Sequence, residues 1–283
     1  SDVGSDLKIE TTSLSFTLRK LENEEYPEAF LRSHEENENT QEVLVSELFD
    51  SIKNVGIAST PEGGRPVLTG VYFNNREEKT ELAATDSYRL ATQEISSFPI
   101  DDVGIISFRS LSEVIRLFEN EESTLKINSN EKDLYFFNDK YFASLRKVEG
   151  SFPEYQNLFP KETLFTAEVN KNEILECLDR STVVAEGYIP VTFIFENNDL
   201  LKITTLNKDV GGGNEELKVK ILGVETGDID GFQMSFNPSF LIQGIEVLEG
   251  NKAYFRFSGN EKPVVIQGDS ENYKYLLMPV RSS

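Results

Sequence analysis

From Thr40 onward the chain repeats itself in diverged form, and a repeat of this length constrains the fold more than any single motif, because each copy must be one packing unit. The first copy spans about 40–164. It predicts a strand at 42–45, a helix from Ser46 to about Ala58 with Leu48, Phe49, Ile52 and Val55 on one face, and strands at 67–73, 80–84 and 89–95. A second helix opens at Ser110, with its hydroxyl as cap and Glu113 as the reciprocal partner, and turns Leu111, Val114, Ile115 and Phe118 inward. Strands near 123–127, 133–137 and 141–147 complete the copy.

The second copy, 165–283, keeps the order: a strand at 165–169, a helix after Asn170 with Ile174 and Leu178 inward, and strands at 191–196, 200–206 and 215–221. Its second helix starts at Asn237-Pro238, where Asn caps and Pro fills a first-turn position whose N–H has no partner anyway. Strands at 253–258, 263–267 and 273–279 follow. Phe108 and Phe236 occupy matching places, as do Asn74-Asn75 and Asn197-Asn198. Two amphipathic helices and several strands per copy predict an α+β fold of two like domains, each with its helices packed on antiparallel sheet. Ahead of them, residues 1–39 offer two strands, 7–10 and 14–18, and then an acidic run (Glu22, Glu24, Glu25, Glu28, Glu35, Glu36, Glu38) that reads as a solvated linker.

With 38% hydrophobic residues, 20 Phe and 10 Tyr, the chain can fill two cores. No run reaches the roughly 18 apolar residues of a membrane span, and the start Ser1-Asp2-Val3-Gly4-Ser5-Asp6 lacks the basic and apolar regions of a signal peptide, so a cytoplasmic, membrane-free protein is expected. One cysteine, Cys177 on an apolar helix, reads as packing, and one histidine, His34, leaves no histidine-based triad or zinc cluster. The net charge of −21 opposes tight phosphate contact.

The stretch Thr85-Asp86-Ser87-Tyr88-Arg89-Leu90 joins two strand patterns through residues whose side chains hydrogen-bond local backbone, which predicts an ordered corner. Together with Arg65-Pro66-Val67-Leu68-Thr69-Gly70, Gly150-Ser151-Phe152-Pro153-Glu154-Tyr155 and the terminal Tyr275-Leu276-Leu277-Met278-Pro279-Val280-Arg281, in this order and at these separations, it resembles the bacterial DNA polymerase III beta subunit, the sliding-clamp family. The resemblance covers about residues 7–281 and places 1–39 as a remnant of a first domain, 40–164 as the second and 165–283 as the third. Either a shortened protein or a piece of a longer one is expected.

The resemblance implies a non-catalytic processivity factor without cofactors or metals, in which two three-domain subunits form a head-to-tail ring around duplex DNA. It also implies partners: DNA polymerase III and other replication or repair proteins carrying Leu/Phe-rich linear motifs, and a clamp loader. Carried over residue by residue, the peptide groove comprises Leu68, Thr85, Ser87, Tyr88, Arg89, Leu90, Pro153, Asn157, Leu158, Leu276, Met278, Pro279, Val280 and Arg281. The leucines would form walls, Met278 an adaptable contact, and Arg89 and Arg281 would orient polar groups of the peptide. Tyr88 stands where many relatives have His, and Asn157 where some have Arg. Arg109, Arg116 and Arg180 fall on outward helix faces and Lys53 at the flank of its stripe, as candidate contacts to DNA mixed with Asp50, Glu113 and Glu176. Register with the family puts Val183 and Val184 near the subunit edge, with a place in the core as the alternative. With most of a first domain absent, this chain is expected to be a monomer.

Two rival readings remain. A monomeric peptide-binding adaptor needs no ring. A metal-dependent hydrolase would rest on Asp86, the acidic residue in the shaped corner, yet no local partner accompanies it. Gly211-Gly212-Gly213 lacks a following Lys and reads as a hairpin tip, and Asp228-Ile229-Asp230 is too sparse for a calcium loop.

Overall fold

The computed structural model of the protein describes residues 2–3, 6–20, 40–61, 64–76, 79–96, 98–119, 124–184, 189–197, 199–207, 211–223 and 229–280. Two compact units emerge, Ser1–Asn39 and Thr40–Ser283. The first is a three-stranded antiparallel sheet of β1 (Asp2–Val3), β2 (Asp6–Thr11) and β3 (Leu14–Arg19). Leu7 pairs with Leu18 and Ile9 with Phe16, which puts an apolar stripe on one face. The acidic run after Lys20 lies outside the described residues, as does His34.

In the second unit the first copy contains β4 (Gln41–Leu44), α1 (Val45–Gly56), β5 (Gly70–Asn75), β6 (Lys79–Thr85), β7 (Arg89–Ser96), β8 (Gly104–Ser107), α2 (Phe108–Phe118), β9 (Thr124–Ser129), β10 (Asp133–Phe137) and β11 (Phe142–Val148). The second contains β12 (Phe165–Asn170), α3 (Lys171–Val184), β13 (Val191–Glu196), β14 (Leu200–Asn207), β15 (Gly211–Lys218), β16 (Lys220–Leu222), β17 (Gln233–Phe236), α4 (Pro238–Glu246), β18 (Lys252–Phe257), β19 (Val264–Gln267) and β20 (Tyr273–Leu277). The repeat holds at the level of topology. Strand order β7-β6-β5-β8 in the first copy matches β15-β14-β13-β17 in the second, and β11-β10-β9-β4 matches β20-β19-β18-β12.

Three of these quartets, with β16, form one thirteen-stranded sheet, ordered β16-β12-β18-β19-β20-β7-β6-β5-β8-β11-β10-β9-β4. The copies meet inside it, where β20 pairs antiparallel with β7. Burial at this seam follows the pleat. Leu82, Ala84, Ala91, Tyr275 and Leu277 join the large core that also receives the inward faces of all four helices, whereas Ala83, Leu90 and Leu276 point the other way and form a small cluster with Tyr155.

All ten helix residues expected inward are buried, from Leu48 to Leu178. Asn237 caps α4 as expected, its Oδ1 accepting from the amides of Ser239 (3.0 Å) and Phe240 (3.4 Å), and Asn170 does the same for α3 at Asn172 (2.9 Å) and Glu173 (3.1 Å). Cys177 is buried on α3, and burial pushes its thiol pKa up.

Several expectations need correction. Ser110 is not a cap: α2 starts at Phe108 behind Ser107, and no side chain caps it. Phe108 therefore opens a helix, while Phe236 ends a strand. The expected strand at 67–73 begins as a short 3-10 turn, Pro66–Leu68, because Pro fixes φ and cannot donate to a ladder. β8 and β17, the short strands ahead of each second helix, were not anticipated. Gly211-Gly212-Gly213 is no hairpin tip but opens β15, and a Cβ on Gly212 would lie 2.8 Å from the Thr205 carbonyl, so the pairing needs glycine there.

Candidate functional site

The corner between β6 and β7 is held by its own side chains. Thr85 Oγ1 donates to the Arg89 carbonyl (2.7 Å) and accepts from the Ser87 amide (3.2 Å). Asp86 Oδ1 accepts from the amides of Tyr88 (2.9 Å) and Arg89 (3.0 Å), an Asx-type turn that places Ser87 at φ 79°. Its second oxygen binds Arg89 Nε at 2.9 Å. Asp86 thus serves as a turn former, and among the described residues no group of acidic, His or Cys side chains could hold a metal.

Arg89, expected to orient polar groups of a peptide, turns instead toward the helix side of the sheet. Only 8% exposed, its guanidinium lies 4.0 Å over the Phe240 ring on α4, donates to Gln243 Oε1 and approaches the Tyr275 hydroxyl at 3.5 Å. Tyr275 in turn donates to the Phe240 carbonyl (3.0 Å), and burial pushes its pKa up to about 12. A Cβ on Gly244 would overlap the Tyr275 ring at 2.4 Å, so α4 sits close against β20. The physical reason for the correction is charge: a guanidinium already paired and stacked beneath the sheet has little left to offer a ligand.

The opposite pleat of the same strands carries the apolar site. Leu90 and Leu276 are cross-strand partners and, with Ala83 and Tyr155, form its floor, against which Tyr72, Phe152 and Phe159 pack. Tyr72 and Phe152 stack at 5.0 Å, and Phe152 meets Tyr155 edge-on at 5.8 Å. Tyr155 anchors this segment by donating to Glu81 Oε1 and accepting from Asn74 Nδ2 (3.1 Å); burial and the Glu81 carboxylate raise its pKa well above the usual phenol range. Above the floor stand exposed apolar side chains: Tyr88 (66%), Leu158 (49%), Met278 (39%) and Val280 (37%). The Met278 amide donates to the Tyr88 carbonyl (2.9 Å), Leu158 is one 3-10 turn from Tyr155, and Val280 is tied to Ser235 of β17 (2.8 Å).

The structure therefore brings Tyr88, Leu90, Leu158, Leu276, Met278 and Val280 to one side of the sheet, with Thr85 buried and Ser87, Pro153 and Asn157 exposed on adjoining turns and Pro279 half-buried. Leu68 is buried in its own 3-10 turn and belongs to neither apolar cluster. Arg281 lies outside the described residues. Sequence reasoning missed Tyr72, Phe152, Tyr155 and Phe159, which build the floor. The spacing of Phe152, Tyr155 and Phe159 was the available signal.

The central-domain model of the DNA polymerase III beta subunit matches residues 42–154, and its C-terminal-domain model matches 156–281. The beta sliding clamp of Streptomyces coelicolor is 30% identical over 287 residues, covering 96% of this chain and 73% of that protein. The chain belongs to the beta sliding clamp family. A Thermotoga maritima DNA polymerase III beta subunit superposes with TM-score 0.83 at 24% identity (100% of this chain, 76% of that one), and the Bacillus subtilis sliding clamp with 0.85 at 23% (98% and 73%), so the fold is that of these proteins.

Within the sliding-clamp frame, the helix faces are less hospitable to DNA than expected. Lys53 pairs with Glu119 (3.0 Å), Arg116 with Glu113, and Arg180 with Glu215 (3.0 Å) and Glu176 (3.8 Å). The Arg180 bond holds the Glu215 carboxyl below the usual range. Of these four cations, Arg109 alone has no ion pair among the described residues. Against them the exposed helix positions carry Glu47, Asp50, Glu113, Glu173, Glu176, Asp179 and Glu246. Val183, at the end of α3, is 79% exposed and hence not core, while the Val184 side chain lies outside the described residues.

Proposed function

We propose that this chain is the partner-binding part of a replication clamp, a non-catalytic processivity platform. In this reading a ring encircles duplex DNA, and polymerase III, repair factors and the clamp loader dock Leu/Phe-rich motifs at the seam between the two copies. Tethering raises the local concentration of polymerase at the template, so repeated capture from solution is unnecessary. The observation that carries the reading is the set Tyr88, Leu158, Met278 and Val280, all exposed above the Leu90–Leu276 floor. Such a patch is unusual unless it binds something. Exposed Val183 fits a subunit edge, and enclosure by a ring tolerates helix faces that hold phosphates only weakly.

The test is calorimetry of a Leu/Phe-rich polymerase tail peptide against the chain and its Met278→Asp variant: micromolar binding lost in the variant is expected, and equal affinity in both would remove the groove. A peptide-binding adaptor that never encircles DNA is the second reading, favoured by the acidic helix faces. Retention on circular but not linearised DNA separates the ring from the adaptor.

A further inference from the structure

Next to the groove, on the same side of the thirteen-stranded sheet, lies a second site of different chemistry. A cleft of about 700 Å³ is lined by Lys161 and Glu162 from the segment joining the two copies, by Tyr254 and Arg256 of β18, and by Gln267 and Asp269 at the end of β19. Its volume is in the range of small-ligand and peptide pockets. At its base Gln267 is only 3% exposed, yet its Oε1 accepts no hydrogen bond. A buried acceptor without a donor is costly and rare, and in a cleft it marks where a ligand's donor belongs. Lys161 and Arg256 have no ion pair among the described residues, so two cations are also unclaimed. Asp269 is already occupied, by the Asn251 amide (3.1 Å) and the Tyr254 hydroxyl (3.3 Å).

The unmet needs define the occupant. An inorganic anion would satisfy Arg256 and Lys161 and leave Gln267 Oε1 unpaired, and a metal cation would meet both positive side chains. A nucleic acid strand carries a phosphate at every nucleotide, so beyond the one that Arg256 and Lys161 could hold its neighbours would meet Glu162, Asp269 and nearby Glu271, whereas a peptide can present a single carboxylate to the two cations. A peptide supplies both groups, a backbone N–H and an acidic side chain.

The register says where it comes from. Arg256 pairs with Val265, Val265 with Leu276, and Leu276 with Leu90, so these side chains stand in one row on one face. Two strand spacings, about 10 Å, separate Arg256 from the groove floor at Leu276. An extended chain covers that distance in roughly three residues. We propose that the Gln267 cleft is a second docking point for the partner's chain. It takes an acidic segment flanking the groove-bound motif, with one backbone N–H on Gln267 Oε1 and a carboxylate on Arg256 and Lys161. This rests on the groove reading above.

The experiment uses the full chain and two peptides, a Leu/Phe-rich core and the same core with three Glu-containing residues added at each end in turn, with Gln extensions as controls. Expected is an acidic extension at one end that tightens binding about fivefold, with the gain abolished in Arg256→Gln and in Gln267→Leu while the core peptide binds all three proteins alike. An extension without effect, or a gain that survives both substitutions, overturns the second docking point and leaves the groove standing. Failure of the core peptide sinks the groove instead. The acidic segment alone, titrated against the Gln267 side-chain amide resonance, then decides: a saturable shift absent in Arg256→Gln supports the cleft, and no shift overturns it.

Discussion

At the β20–β7 seam the two sides of one sheet differ in what they do with the same six-residue corner. On the helix side, Arg89 is buried, paired with half-buried Asp86 and stacked on Phe240 of α4; on the other side, Tyr88 and Met278 expose apolar surface over Leu90 and Leu276. The difference teaches a division of labour. Charge is used up internally to hold the corner, and the exposed side offers apolar surface on a floor already in place, which a ligand could bury at little ordering cost.

The largest expected effect tests the helix side. Arg89→Ala leaves the Asp86 carboxylate, 12% exposed, without its partner and should cost about 3 kcal/mol in urea unfolding. Arg89→Lys should recover little, because an ammonium cannot reproduce the fork that reaches Asp86 and Gln243 together. Full stability in Arg89→Ala would break the comparison. On the exposed side, Met278→Asp should weaken a groove peptide by about 2 kcal/mol with the unfolding midpoint unchanged. Leu276→Asp, attractive from sequence, is the poorer probe: Leu276 is 3% exposed, and a charge there should destabilise the fold as well.

A smaller effect concerns the helix faces. Glu215→Gln removes the nearer of the two ion pairs of Arg180, so association with duplex DNA should strengthen modestly and the dependence of log K on log salt should steepen by at most about one unit. An unchanged slope would show that Arg180 meets no phosphate. Smallest at neutral pH is Tyr275→Phe. The folded state holds this phenol protonated, with its pKa raised from 10 to about 12 by burial. The stability this contributes is full below pH 10 and is lost as pH rises through about 12. Unfolding free energy should fall across that window, less steeply in the variant, with the remainder shared by Tyr135, Tyr155, Tyr254 and Tyr273, whose pKa values are also raised.

How legible was this in the sequence? The long amphipathic helices were, since Leu111, Val114, Ile115 and Phe118 repeat at helical spacing and nothing else satisfies that pattern. The Asn237-Pro238 start was too, because a cap acts locally. β8 and β17 were not: four residues are too few for alternation to register, and their pairing with β5 and β13 is decided by distant chain. For the candidate groove, Leu90, Leu276 and Met278 were carried over through resemblance, not read from periodicity. Arg89 was misread because its true partners, Gln243 and Phe240, lie about 150 residues away and on a helix. Sequence alone could not say that a charged residue beside a turn points under the sheet instead of out of it.

The pairing of β20 with β7 has a mechanical meaning. Antiparallel strands pulled along their length load all of their hydrogen bonds at once instead of peeling them singly, and here that joint crosses from one copy to the other. A pull on β20 along its length would therefore be borne by both copies through this shared ladder.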